Sequence, residues 1–276
     1  MTLDTLAAEL DQPYALSDEQ ITRFREDGFI RLPKVWSQDV LTYYGDEITR
    51  LTLEINPQKD VALEDRTTYG KAFIQVGNLW TRSEIAKAFS FNKRLARIAA
   101  ELMGTRGTRM YHDQALYKEA SGGFTPWHAD QQYWPMATSK CVTAWCPFQA
   151  VPMEMGPMSF GRGSHLKNIG RDMEISDESE KLIRDEIKRE GLLEVTEPFD
   201  LGDVSFHTGW TLHRAGPNTT GRVRCVHTVI YMDSEMHVGQ PTNPRQESDR
   251  QSFSPGLEIG DLWDCALTPV LWERGE

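Results

Sequence analysis

The sequence predicts a mainly β fold flanked by α-helices, and three observations carry that prediction. Before residue 109 the apolar residues recur at helical spacing. From Arg109 onward the texture changes to short apolar runs separated by glycine and proline, as in an antiparallel sandwich or barrel. The third observation is composition: 276 residues, 39% hydrophobic and 26% charged, with a mean hydropathy of −0.51. These values exclude a disordered tail, a collagen-like repeat and a membrane bundle. A chain of this length buries roughly three quarters of its unfolded surface, enough for one large core. A single domain over 1–276 is expected, with a helical flank at 1–108, a β core at 109–235 and a C-terminal extension at 236–276.

The first marked element starts at Leu16-Ser17-Asp18-Glu19-Gln20-Ile21, where Ser17 can cap, Gln20 can reach back and Leu16 can staple to Ile21. This helix carries Ile21 and Phe24 and should stop at Gly28, before a short strand Phe29–Pro33. A second helix follows from Ser37, its apolar positions Val40, Leu41, Tyr44, Ile48 and Leu51 fitting a 3.6 period. A third spans Ser83 to Leu102 around Ile85, Phe89, Leu95 and Ile98. The expected strands are Arg109–Lys118, Cys141–Ala150, Pro157–Gly161, Gly191–Glu197, Asp203–Thr208 and Arg224–Met232. Ile175 to Glu190 is charge-rich, with Leu182, Ile183 and Ile187 on one face, and reads as a helical insertion, either a lid or a solvated surface helix. After Asp233 the segment around Gln240-Pro-Thr-Asn-Pro-Arg reads as loop, while Leu262-Trp263 and Val270-Leu271-Trp272 are apolar enough to dock back on the body. No internal repeat or low-complexity tract is present.

Acidic residues outnumber basic ones 41 to 30, a net charge of −11, which repels phosphate backbones and anionic lipid. Nucleic acid and membrane are therefore unexpected partners. The cysteines Cys141, Cys146, Cys225 and Cys265 form no CxxC pair and read as reduced thiols. The N-terminal MTLDTLAAELDQ carries no signal pattern, so a cytoplasmic location is expected.

Two segments carry chemistry. In Trp127-His128-Ala129-Asp130 an extended backbone projects the imidazole and the carboxylate from one face, where both can grip one metal ion. His213, reading as the end of a strand-like stretch before Ala215-Gly216-Pro217-Asn218, supplies a second imidazole. Two histidines and one carboxylate with the remaining positions open are the facial triad of non-haem Fe(II) oxygenases. A dicarboxylate chelating such an iron needs a guanidinium for its far end. Arg222 and Arg224 follow where the next antiparallel strand would return, and chemistry alone does not choose between them.

On these residues the chain resembles the phytanoyl-CoA dioxygenase (PhyH-like) family of Fe(II)/2-oxoglutarate-dependent oxygenases. The matching stretches are LSDEQITRFREDGFIRLPKV, TPWHADQQYWP, TAWCPFQAVPMEMGPMSFGRGSHL and LHRAGPNTTGRVRCVHTVIY. The resemblance implies a double-stranded β-helix (jelly roll, cupin-like) with iron on His128, Asp130 and His213, 2-oxoglutarate on Arg224, and O2 as oxidant. Arg222 is the runner-up. Gln114, Lys118, Thr143 and Trp145 are expected around the co-substrate, and Tyr133, Trp134, Phe206 and Trp210 around the substrate. Because Asp130 is present, hydroxylation of a small molecule, with release of succinate and CO2, is expected rather than halogenation. Two departures from the family pattern stand out: Ala215 stands two positions after the distal histidine, where many members have serine or another small polar residue, and no lysine-rich CoA surface is evident. His165 reads as structural, and His112, His207, His227 and His237 as packing or surface residues. Arg162, Lys167 and Arg171 form a basic cluster able to receive an anionic substrate group. The rival readings are a mononuclear metal enzyme on a cupin-like core that uses no 2-oxoglutarate, and a non-catalytic jelly-roll binding protein.

Overall fold

The computed structural model describes residues 2–275. Eight α-helices are found among them: α1 (Leu3–Asp11), α2 (Asp18–Asp27), α3 (Gln38–Ile55), α4 (Thr68–Ala72), α5 (Glu84–Ser90), α6 (Lys93–Met103), α7 (Asp177–Arg189) and α8 (Pro244–Phe253). The strands are β1 (Phe29–Leu32), β2 (Ile74–Gly77), β3 (Gly107–Tyr117), β4 (Thr125–His128), β5 (Cys141–Pro147), β6 (Met158–Gly161), β7 (Glu194–Thr196), β8 (Val204–Thr208), β9 (His213–Ala215), β10 (Val226–Asp233) and β11 (Val270–Glu273).

They form two antiparallel sheets, the arrangement expected of a jelly roll. The large sheet has the order β1-β8-β5-β10-β3-β11, with β2 also on β3, and the small one runs β4-β9-β6-β7. The large sheet thus draws β1 and β2 from before residue 109 and β11 from after residue 235. Strand alternation divides its two faces. Val142, Ala144 and Cys146 of β5, Val204 and Phe206 of β8, and Val229 and Tyr231 of β10 join the core under α1, α2, α3, α5 and α6. Thr143, His207 and Thr228 point the other way, into a cavity facing the small sheet.

The α2 cap forms as expected: Ser17 and Gln20 make a reciprocal capping box, and Gly28 ends the helix at φ 85°. That glycine is required twice over, because a Cβ there would also collide with His165 and lie 2.6 Å from Thr211 Oγ1. The expected third helix is instead two. It breaks at Phe91-Asn92, where the Asn92 side chain accepts from the Leu95 amide (2.7 Å) and starts α6 anew. α1, α4, β2 and α8 were not anticipated, and β4 and β9 were expected only as extended or strand-like stretches. α8 contradicts the loop expected after Asp233, and its signal is visible in hindsight: Asn243 caps, Pro244 occupies the first turn, and the Gln246 amide donates to Asn243 Oδ1 (2.9 Å). The docking expected of the C-terminal apolar residues occurs, with Trp263 fully buried and β11 paired to β3.

α7 is a surface helix with one face in solvent and the other packed on the body, and Leu182, expected on the packed face, is exposed. Ile183 and Ile187 are buried against Trp127 and Leu212. Glu180 Oε2 accepts from the Trp127 amide (2.8 Å), and Ser179 Oγ donates to the Trp127 carbonyl (3.2 Å). The helix therefore braces β4, the strand that ends in His128. Of the described residues, no helix is long and apolar enough to cross a membrane.

Candidate metal centre and its cavity

His128, Asp130 and His213 come together at the seam between the sheets, their ligand atoms all within 4.8 Å of one another. His128 ends β4, and an extended Ala129 (φ −122°, ψ 132°) turns Asp130 to the same side. His213 opens β9 instead of ending a strand, and lies directly opposite His128 in the β4–β9 pair. Each imidazole donates its Nδ1 hydrogen to a backbone carbonyl, His128 to Pro126 (2.8 Å) and His213 to Thr211 (2.9 Å). A carbonyl only accepts, so the proton sits on Nδ1 and the Nε2 lone pair faces the shared point.

The carboxylate is divided in the same way. Asp130 Oδ1 lies 3.6 Å from His128 Nε2 and 3.5 Å from His213 Nε2. Its Oδ2 accepts from Thr143 Oγ1 (3.0 Å) and from His207 Nε2 (3.3 Å), both on the large sheet. Burial works to raise the Asp130 pKa, but His213, His128 and His207 outweigh it and hold the group well below the usual range. Burial, with the neighbouring His128, pushes His213 well down. An ionised Asp130, a His213 kept neutral by burial and a His128 that turns its Nε2 to the same point are what a divalent metal needs, so the residues fit such an ion.

The triad opens into a cavity of about 730 Å³. Arg224 reaches it from the short bridge it forms with Lys118, ahead of β10 and not alongside β9. Its guanidinium is buried, lies 5.3 Å over the Trp145 ring and donates to the Gly156 carbonyl, while Nε has no partner. Burial brings its pKa down to about 9, with Cys225 opposing. Arg222, by contrast, is exposed, in a stretch that is not a strand, so only one of the two arginines is available to the cavity. Lys118 lies one layer behind, fully buried, 3.5 Å from Thr125 Oγ1 and pushed down to about 6 by burial and by Arg224. Thr125 stands directly opposite Ala215 across the β4–β9 pair.

Gln114, Thr143, Trp145, Tyr133 and Trp134 also line the cavity. Phe206 and Trp210 do not. Phe206 precedes His207 in β8, so alternation turns it into the helix-covered core, and Trp210 packs beneath the Arg171 guanidinium (4.6 Å) on the α7 cluster. The basic cluster is likewise engaged elsewhere: Arg162 pairs with Asp27 (3.4 Å), Lys167 with Glu190 (3.2 Å), and Arg171 donates to the His165 carbonyl. Two histidines read as packing residues prove to line the site, His207 on Asp130 and His112 further out. Their signal was strand parity, since His112, Gln114 and Leu116 alternate along β3. His165, His227 and His237 stay outside. Tyr69, Gln75, Glu174, Ile175, Arg245, Asp249 and Phe253 were missed, the last three because they sit on the unanticipated α8.

The comparisons agree with this geometry. A carbocyclase from nogalamycin biosynthesis, SnoK, described as non-heme and α-ketoglutarate dependent, superposes with a TM-score of 0.75 at 26% identity, covering 94% of this chain and 99% of its own. The epimerase SnoN from the same biosynthesis, solved with Fe3+, α-ketoglutarate and nogalamycin RO, gives 0.73 at 25%, covering 92% and 98%. EctD from S. alaskensis, solved with 2-oxoglutarate and 5-hydroxyectoine, gives 0.66 at 17%, over 82% and 79%, and shares the fold. No curated protein matches in sequence. The family profile described as Phytanoyl-CoA dioxygenase (PhyH) matches residues 24–226, about three quarters of the sequence, and the chain belongs to that family.

Proposed function

We propose that this chain is an Fe(II)/2-oxoglutarate-dependent oxygenase that oxidises an unactivated C–H bond of a small molecule, with release of succinate and CO2. One observation carries the reading: a His-Asp-His triad in a ligand-ready protonation state shares its cavity with a buried arginine that lacks a counter-ion. His128 Nε2, Asp130 Oδ1 and His213 Nε2 would hold the metal on one face and leave the opposite face open. The bound iron supplies the oxidising chemistry, driven by decarboxylation of the co-substrate. Arg224 receives the far carboxylate and so fixes the direction in which the co-substrate enters. Because Ala215 has no hydroxyl, Thr125 opposite it supplies that contact, with the buried Lys118 amine behind it. Thr143 and His207 hold Asp130 Oδ2 and keep Oδ1 aimed at the metal position. Trp145 covers the guanidinium and keeps water from it.

The test is anaerobic addition of Fe(II) and then 2-oxoglutarate to metal-free protein, followed by the weak visible band of the chelate. Wild type should develop the band, and Arg224→Ala should need far more 2-oxoglutarate to do so. Iron binding without any band refutes the 2-oxoglutarate reading.

Hydroxylation is the outcome expected from a retained carboxylate. Ring formation or epimerisation is a second reading, favoured by the 26% identity to a carbocyclase over 94% of the chain. Labelled O2 separates them once a substrate is found, because hydroxylation leaves the label in the product and ring closure does not.

A further inference from the structure

The charges lining the cavity almost all cancel. Arg214 pairs with Glu180 (3.3 Å) and Glu194 (3.8 Å), Arg245 pairs with Glu174 (3.3 Å), and Asp130 is assigned above to the metal. Two remain without a counter-charge among the described residues: Arg224, assigned above to the co-substrate, and Asp249 of α8.

Asp249 is held in place. β3 and β10 slip register between His112↔Ile230 and Met110↔Tyr231, so Tyr111 is the extra residue of a bulge. The bulge puts Tyr111 among Trp134, Trp263 and Phe253, and its hydroxyl donates to Asp249 Oδ2 (2.6 Å). Among the described residues, Oδ1 has no hydrogen-bond partner and no lysine or arginine lies within ion-pair distance of this carboxylate. The surroundings are ring faces: His112 stacks on Phe253 (4.8 Å), with Trp134 edge-on to both Tyr111 and His112. Burial keeps His112 neutral, pushed down to about 4, so it provides no cation. Burial also raises Asp249 to about 6, Tyr111 offsetting it only in part.

Resting on the oxygenase reading, we infer that Asp249 and the aromatic wall around it form the receptor for a cationic nitrogen of the substrate, an ammonium or substituted amine. A carboxylate with a free oxygen, fixed by a neutral donor among ring faces, is complementary to such a group through its charge and through the ring quadrupoles. The same wall disfavours an anionic substrate, which would meet Asp249 with no cation to offset it.

The probes are benzylammonium and its near-isostere benzyl alcohol, titrated calorimetrically into metal-free protein and again after anaerobic loading with Fe(II) and 2-oxoglutarate. Wild type should bind the cation about tenfold more tightly than the alcohol. Asp249→Asn, which keeps an oxygen for the Tyr111 hydroxyl, should abolish that preference while the Fe(II)·2-oxoglutarate band forms as in wild type. Glu174→Gln should keep the preference. Equal binding of the two probes by wild type, no binding of the cation, or a preference that survives Asp249→Asn or disappears with Glu174→Gln overturns the inference. Absence of the visible band in wild type is a separate result, and it counts against the oxygenase reading alone.

Discussion

Replacing Thr143 by valine removes one hydroxyl and keeps the side-chain shape, which isolates a single hydrogen bond to Asp130. Thr143 is buried, and its Oγ1 donates to Asp130 Oδ2 at 3.0 Å. A hydrogen bond to a buried charged group contributes about 1.5–3 kcal/mol. His207 remains as a second donor at 3.3 Å, so the lower half of that range applies. The bond matters most when Asp130 must stay ionised and aimed at a metal, so about 1.5–2 kcal/mol, or roughly 10- to 30-fold, should be lost from Fe(II) affinity, the usual scale for groups that orient ligands. The assay is anaerobic titration of Fe(II) against a competing chelator in wild type, Thr143→Val and Thr143→Ser. The serine variant should retain most of the affinity, because the hydroxyl is kept. Wild-type affinity in Thr143→Val, or equal loss in the valine and serine variants, would refute the argument that Oδ2 is held so that Oδ1 can ligate.

Thr125→Val should raise the KM for 2-oxoglutarate several-fold, about 1 kcal/mol for a lost hydroxyl contact, and Ala215→Ser should restore part of it from the opposite strand, both read by succinate release. Lys118 is pushed down to about 6, below its unfolded value, so unfolding takes up a proton between that value and about 10.5, and the metal-free protein should gain stability as pH rises from 7 to 9. Denaturant midpoints across that range should show a flatter slope in Lys118→Met. Ile183→Ala leaves a hole beneath β4 and should cost about 2–5 kcal/mol in denaturant unfolding, with Fe(II) affinity falling as well because α7 braces the strand of His128. An unstrained Gly→Ala change stabilises by about 0.4–1 kcal/mol, but Gly28→Ala combines φ 85° with a collision at His165 and should instead destabilise by more than that, by the same measurement.

What could be read in the sequence was local. The Ser17 cap, the Gly28 stop and the H-x-D spacing depend on neighbours a few residues away, and each appears as expected. The fold class was legible for the same reason, since period and turn residues are local signals. Partnership across the chain was less accessible. Nothing near His207 indicates that it faces Asp130, 77 residues earlier, yet its odd parity in β8 excludes Phe206 from the same face. Arg222 and Arg224 looked equivalent only while that stretch was taken as a strand. The isolated bridge to Lys118 is what buries one and leaves the other in solvent. The short strands β4 and β9 were legible only as extended or strand-like stretches because three or four residues carry too little period to detect, although between them they hold both metal-facing imidazoles.

The placement of the triad couples metal binding to the packing of the two sheets. His128 and His213 belong to the small sheet, whereas the donors to Asp130 Oδ2, Thr143 and His207, belong to the large one. Asp130 is the joint between them, one oxygen facing each side. Without a metal, the seam at this point is held only by the contacts these side chains make with one another. A divalent ion would turn the same groups into its strongest contact and bind only the state in which both sheets are in register. Added Fe(II) should therefore raise the unfolding midpoint of wild type. In Thr143→Val, where the large sheet has loosened its hold on Asp130, the rise should be smaller at the same metal concentration, whatever the variant does to the metal-free midpoint.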